Sequence, residues 1–386
     1  MKRGVSMHVL IAVDSFKGSL SSQEAGEAIT VGIQRVYPDA TTEVITMADG
    51  GEGTVEAIVQ AEKGRIHTMS ATSPIGESVE AILGQLPDGT AVLEMASASG
   101  LPLVPKEKRN PLMTTTRGTG ELILKALDWG AKHIVIGIGG SATNDGGAGM
   151  AQALGVKLLD RDGRELEPGG EALARLEKID LTELDPRLKD TEVIVMCDVD
   201  NPLCGPRGAS AVYGPQKGAT PEMVQQLDQN LAHFAQKIQE QIGMDLLKVP
   251  GAGAAGGLGA GLLAFTGAQL KTGIEAILDT VGFDERLQHA DIVITGEGRI
   301  DGQSVYGKVP MGVAKRAMKY GKPTLAIVGS IGPGSESLYE HGLSSILSIV
   351  NGPMSLEDSM AKAYDLTVEA AERGFRMLRM GKGIVL

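Results

Sequence analysis

Short apolar runs that end in a polar, glycine-bearing loop and give way to a helical pattern recur at both ends of this chain. His8–Val13 is such a run, consistent with a strand buried on both faces of a parallel sheet. The helix after it sets Ala25, Ala28, Ile29, Ile33 and Val36 on one side. Ser21-Ser22-Gln23-Glu24 marks its start as a capping box, and Pro38 ends it. Residues 43–47 read as a second strand. The last hundred residues repeat the rhythm, with strands at 291–295, 324–328 and 345–350 and helices near 309–320, 334–341 and 355–379. Two strand–helix units at the start and three at the end predict a flavodoxin-like, doubly wound, five-stranded parallel sheet.

The stretch between them has another texture. It offers strands at 79–86, 90–95, 133–138 and 192–197, helices at 119–129 and 221–241, and glycine clusters at 137–149 and 251–261. The simplest architecture is α/β throughout. A second α/β domain, residues 61–285, is inserted into a first one made of residues 1–60 and 286–386. At 386 residues the chain is long enough for both. Ligands in open α/β sheets bind beyond the carboxyl ends of the strands, and pockets favour domain interfaces. The active site is therefore expected in a cleft between the domains.

Composition narrows the function. Formal net charge is −12, which disfavours nucleic acid as a partner. No segment reads as a signal peptide or membrane span, which predicts a cytoplasmic enzyme acting on small molecules, as a monomer or homodimer. Cys197 and Cys204 have neither redox nor zinc spacing and are expected to be structural thiols.

Four loops concentrate chemistry. Asp14-Ser15-Phe16-Lys17-Gly18-Ser19 follows the first strand and places a carboxylate, hydroxyls and a phosphate-type cation together. Asp49-Gly50-Gly51-Glu52-Gly53-Thr54 combines glycines with two acids. Acids repel bare phosphate, so this pattern suits Mg²⁺ between them. After strand 291–295, residues 302–308 nearly spell a P-loop, but Val309 stands where the Mg²⁺-binding hydroxyl belongs, so a Walker site is rejected. Asp301 and Lys308 remain as a Mg-nucleotide or substrate cluster.

The fourth loop, Gly139-Gly140-Ser141-Ala142-Thr143-Asn144-Asp145-Gly146-Gly147, follows a strand and precedes a helix. It reads as a phosphate cradle. Asp198, at the end of another strand, offers a carboxylate for base or metal work. Residues 251–256 match GxGxxG with Glu275 beyond, which leaves an NAD-dependent oxidoreductase as an alternative. Pro250 before them makes a poor strand, and helix packing through small residues explains the glycines more simply. A nucleotide-binding sensor is a third reading, disfavoured by the number of converging acids and lysines.

The strings at 14–19, 48–54 and 139–147 resemble the type 1 glycerate kinase family. So do Arg109-Asn110-Pro111-Leu112, Gly118-Thr119-Gly120-Glu121-Leu122, Asn201-Pro202-Leu203, Pro215-Gln216-Lys217-Gly218-Ala219, residues 251–261, Ile294-Thr295-Gly296-Glu297-Gly298 and Gly307-Lys308. They span nearly the whole chain in the family's order. Arg117 stands where the family typically has an aromatic residue and is given no role. Ser304 replaces the more usual Thr and keeps the hydroxyl.

The resemblance implies ATP- and Mg²⁺-dependent phosphorylation of D-glycerate, usually at the 2-hydroxyl in bacteria, with 3-phosphoglycerate as the alternative product. The expected roles follow from what phosphoryl transfer needs. Ser15, Gly139, Gly140, Ser141, Thr143 and Asn144 bind phosphate. Lys17 and Lys308 stabilise the transferring group, and Asp49, Glu52 or Asp301 hold Mg²⁺. Asp198 or Asp14 takes the hydroxyl proton, and Arg109, beside Asn110, grips the glycerate carboxylate.

Overall fold

Val9 to Val13 are completely shielded from solvent, as a strand with partners on both sides and helices on both faces must be. The computed structural model describes residues 7–47, 53–305 and 307–381. It divides the chain into one unit of Met1–Asp49 with Ile277–Leu386 and a second of Gly50–Ala276.

In the first unit five parallel strands lie in the order Ser345–Ser348, Thr324–Val328, Ile292–Gly296, His8–Val13 and Thr41–Thr46. Numbered along the chain this is 2-1-3-4-5, the expected flavodoxin-like order. Val9, Ile11 and Val13 pack with Ile29, Ile33, Leu366 and Phe375 on one face. Ala326 and Val328 pack with Met311 and Ala314 on the other. The helix Ser22–Gln34 begins with the anticipated capping box. Ser21 Oγ accepts from Glu24 N at 3.2 Å, and Ser21 N donates to Glu24 Oε2 at 2.8 Å.

Two helical expectations need correction. Residues 355–379 form two helices, Leu356–Ala361 and Ala363–Gly381. Lys362 between them leaves helical geometry at ψ 12°, and the first has its own cap, Ser355, whose Oγ accepts from Asp358 N. The segment 334–341 is a 3₁₀ helix, Ser335–His341.

In the second unit a six-stranded sheet runs Gln269–Lys271, Glu192–Met196, His133–Gly137, Ala91–Glu94, Ser78–Gln85 and Arg65–Thr72. The first four are parallel, and the last two form an antiparallel hairpin on that edge. The helices Arg117–Asp128 and Pro221–Ile242 lie where periodicity placed them. Two strands of this sheet escaped the sequence reading. Arg65–Thr72 is a largely polar edge strand, and Gln269–Lys271 is only three residues long, so neither shows an apolar run. Among the described residues no helix is long and apolar enough to cross a membrane.

Candidate active site

The strand His133–Gly137 delivers the chain into the loop 138–147, and Asp145 fixes that loop in place. Its fully buried carboxylate accepts from Thr116 N (2.8 Å), Thr116 Oγ1 (2.9 Å), Gly147 N (3.2 Å) and Gly149 N (3.3 Å). Burial pushes this carboxyl's pKa up, while the donors from Thr116, Gly149 and Gly147 pull against it. All four contacts are donors, so the ionised form is the one that satisfies them. Gly140 adopts φ +75°, a left-handed turn that glycine takes without strain. Gly139 and Gly140 are exposed at the bend.

Gly139, Gly140 and Ser141 line a cavity of about 360 Å³ together with Asp198, Tyr213 and Lys217. Thr143 and Asn144 lie deeper, completely shielded from solvent. Asn144 Oδ1 accepts from Ser210 Oγ at 3.2 Å. Thr143 Oγ1 and Asn144 Nδ2 have no hydrogen-bond partner among the described residues. Asp198 leaves the strand Glu192–Met196, and its Oδ1 accepts from Gly273 N at 2.9 Å while the residue stays exposed. Tyr213 donates its hydroxyl to Asn201 Oδ1 at 2.7 Å.

Lys217, given no role in the sequence analysis, lines the same cavity. It closes the 3₁₀ turn Pro215–Lys217 and is only 2% exposed. Its Nζ donates to Ser141 Oγ at 2.6 Å and to Thr143 O at 2.7 Å. Burial pulls its pKa down to about 7, and the charge of Asp145 acts in the opposite sense. Lys217 enters the sequence analysis only within the string 215–219, because spacing held no signal for its burial. Gly218 follows at φ +96°, and a Cβ there would stand 2.5 Å from Arg109 O, so this turn packs directly on Arg109. Arg109 is half-buried, with Nε 3.4 Å from Val104 O. Asn110 Oδ1 accepts from Leu112 N at 3.1 Å and shapes the following turn.

The remaining expected residues among those described, Asp14, Ser15, Lys17, Asp301 and Lys308, belong to the first unit. The loops after His8–Val13 and Ile292–Gly296 are neighbours because those strands pair, and Asp14 N donates to Gly296 O at 2.9 Å. Asp14 Oδ1 accepts from Ser15 N at 2.7 Å, and Lys17 is exposed. Lys308 Nζ donates to Glu297 Oε2 at 2.9 Å, and Glu297 Oε1 accepts from the buried Ser304 hydroxyl at 2.7 Å. The hydroxyl retained at 304 thus orients the acid that holds the lysine. Asp301 Oδ1 accepts from Gln303 N at 3.0 Å, with Arg299 Nε 3.5 Å from its Oδ2. Asp49 and Glu52 lie outside the described residues.

The glycines of 251–256 serve packing. A Cβ on Gly256 would stand 1.9 Å from Thr143 O, and Gly146 N donates to Gly256 O at 3.1 Å. No strand leads into the segment; it follows a loop after Pro221–Ile242. The dinucleotide reading has no support from this geometry. Both cysteines are free thiols, and burial pushes Cys204 up to about 12 and Cys197 upward as well, which suits inert side chains.

The glycerate kinase family profile matches residues 9–379. A protein named glycerate kinase from Bacillus subtilis is 53% identical over 381 residues, covering 98% of this chain and 100% of its own. One named glycerate 2-kinase from Escherichia coli is 50% identical over 376 residues, covering 97% and 99%. A crystal structure from Salmonella typhimurium LT2, provisionally described as glycerate kinase 2, superimposes with a TM-score of 0.87 at 48% identity. That match covers 98% of this chain and 100% of the other.

Proposed function

This chain belongs to the glycerate kinase family, and on that premise we propose that it transfers the γ-phosphoryl group of ATP to the 2-hydroxyl of D-glycerate. The observation that carries the reading is the cavity where Ser141, Asp198 and Lys217 meet, in a chain half identical, end to end, to a protein named glycerate 2-kinase. In the transfer the 2-oxygen forms a bond to the γ-phosphorus while the bond from that phosphorus to the β,γ-bridging oxygen breaks. ADP leaves with the electron pair, and the hydroxyl proton passes to a carboxylate.

We assign that carboxylate to Asp198, because it is exposed in the cavity beside Ser141 and Lys217. The exposed turn at Gly139 and Gly140 suits phosphate oxygens, with Ser141 as a further donor and Thr143 and Asn144 shaping the loop behind it. Arg109, beside Asn110, takes the glycerate carboxylate. In the other unit Lys17 and Lys308 meet the charge of the transferring group, and Ser15 binds phosphate. Asp14 is the second candidate base.

Mg²⁺ is a hard cation that takes one or two carboxylates and otherwise phosphate and water oxygens. Asp301, a partly exposed carboxylate, fits that donor set, and we assign it with Asp49 and Glu52 as the residues that would hold the ion. The ion would neutralise phosphate charge during transfer. The two free thiols suit a reducing compartment, and we read the enzyme as cytoplasmic.

The test is ADP release from Mg-ATP by the purified protein, with and without D-glycerate, alongside Lys17→Ala and Asp198→Asn. The expected result is glycerate-dependent turnover, with kcat lowered about 100-fold or more in each folded variant. Turnover that ignores glycerate would sink the substrate, and a near-normal kcat in either variant would remove that residue's role.

A further inference from the structure

We infer that Lys217 is itself a ligand for an anionic oxygen of the bound substrate, either the carboxylate of the hydroxy acid or a phosphoryl oxygen. The inference deepens the kinase reading and rests on it for the identity of the occupant. An ammonium has three donors. Two are spent on Ser141 Oγ and Thr143 O, and the third has no partner among the described residues. The residue is nonetheless part of the lining of the cavity that also holds Asp198.

Burying a cation is costly, and two neutral oxygens do not replace its hydration. Asp145 helps at a distance, but no hydrogen bond joins it to Lys217, and its carboxylate already has four donors. If this position only needed to brace Ser141, a neutral donor would do so at less cost. A lysine makes physical sense when an anion arrives to complete its coordination. The same hydrogen bond also prepares Ser141. Its oxygen accepts from Lys217, so its own proton is directed to another acceptor, which gives the cavity a second donor.

Proton linkage gives this assignment a signature that a bracing role lacks. With its pKa near 7, the empty-site lysine is mostly neutral at pH 8, and an anion bound to it restores the charge. Ligand binding should then draw a proton from solvent. The other titratable groups facing it are Asp145 on its loop, Asp198 and Cys197 after the neighbouring strand, and Tyr213 on the preceding helix. Burial holds Cys197 and Tyr213 above their ordinary values, so neither supplies a competing change at pH 8.

The experiment is titration calorimetry of the full chain with D-glycerate, ADP and inorganic phosphate. Each is run at pH 8 in two buffers of different ionisation enthalpy, on wild type and on Lys217→Met. We expect uptake of about half a proton or more for the anion that meets Lys217. Uptake with glycerate assigns the carboxylate, and uptake with ADP or phosphate assigns a phosphoryl oxygen. Lys217→Met should abolish that uptake and weaken the same ligand about tenfold or more. No uptake with any ligand in wild type overturns the inference, as does a folded Met variant that binds all three within about twofold. If the variant does not fold, Lys217→Gln takes its place in the same titrations. If glycerate neither binds nor turns over while ADP or phosphate still draws a proton, the glycerate reading fails and the lysine assignment stands.

Discussion

Arg109 shows how far a residue's chemistry can be argued from its surroundings. Its backbone is braced by the Gly218 turn, and its guanidinium is half-buried with one weak contact to Val104 O. A side chain held in this way is free to form a planar, two-point contact with a carboxylate. Arg109→Ala should raise KM for D-glycerate by about tenfold or more and leave KM for ATP within about twofold. Equal effects on both would assign it to the fold instead.

At this scale periodicity located residues that follow a strand, as Asp14, Ser141 and Asp198 do. Lys217 was quoted only within a string and given no role, because burial of a turn lysine depends on a loop more than seventy positions away in sequence. Glu297 was quoted only as part of a string. Its role in holding Lys308 emerges when the chain folds back to bring Ser304 against it.

At the scale of elements, periodicity located most of the parallel strands because buried βα units leave continuous apolar runs. It missed Arg65–Thr72, whose outward face is polar, and Gln269–Lys271, which is too short to show a pattern. The glycine cluster 251–261 was legible as packing, and the structure supplies the reason. Gly256 has φ +70° and lies against Thr143 O, the same carbonyl that accepts from Lys217. Gly267 has nearly the same φ, +67°, with nothing near its missing Cβ.

The two positions separate backbone strain from crowding. Gly267→Ala should cost about 1 kcal/mol, the price of a left-handed alanine. Gly256→Ala should cost about 1–3 kcal/mol more, because the added carbon must displace the loop at Thr143. Denaturant midpoints check both, and equal losses would show that the loop yields without resistance.

The whole molecule registers the buried lysine through pH. Lys217 is pulled from an ordinary 10.5 to about 7 in the fold, so between those values the unfolded chain binds more protons than the folded one. Stability contributed by this group therefore rises with pH from about 7 to about 10.5, and is lost as pH falls through 7. Measured as wild type minus Lys217→Met, the slope should approach about 1.4 kcal/mol per pH unit at its steepest. A flat difference across that window would mean that the lysine keeps its ordinary pKa in the fold.

The central claim is the chemical one, that this chain places a phosphoryl group on the 2-oxygen of D-glycerate. The most direct test is NMR of the product formed from D-glycerate and Mg-ATP, using the phosphorus–proton coupling to locate the new ester. The single proton on carbon 2 should acquire the coupling, as in 2-phosphoglycerate. Coupling to the two protons on carbon 3 would contradict the assigned regiochemistry, and no phosphorylated glycerate from a folded, ATP-binding sample would contradict the substrate itself.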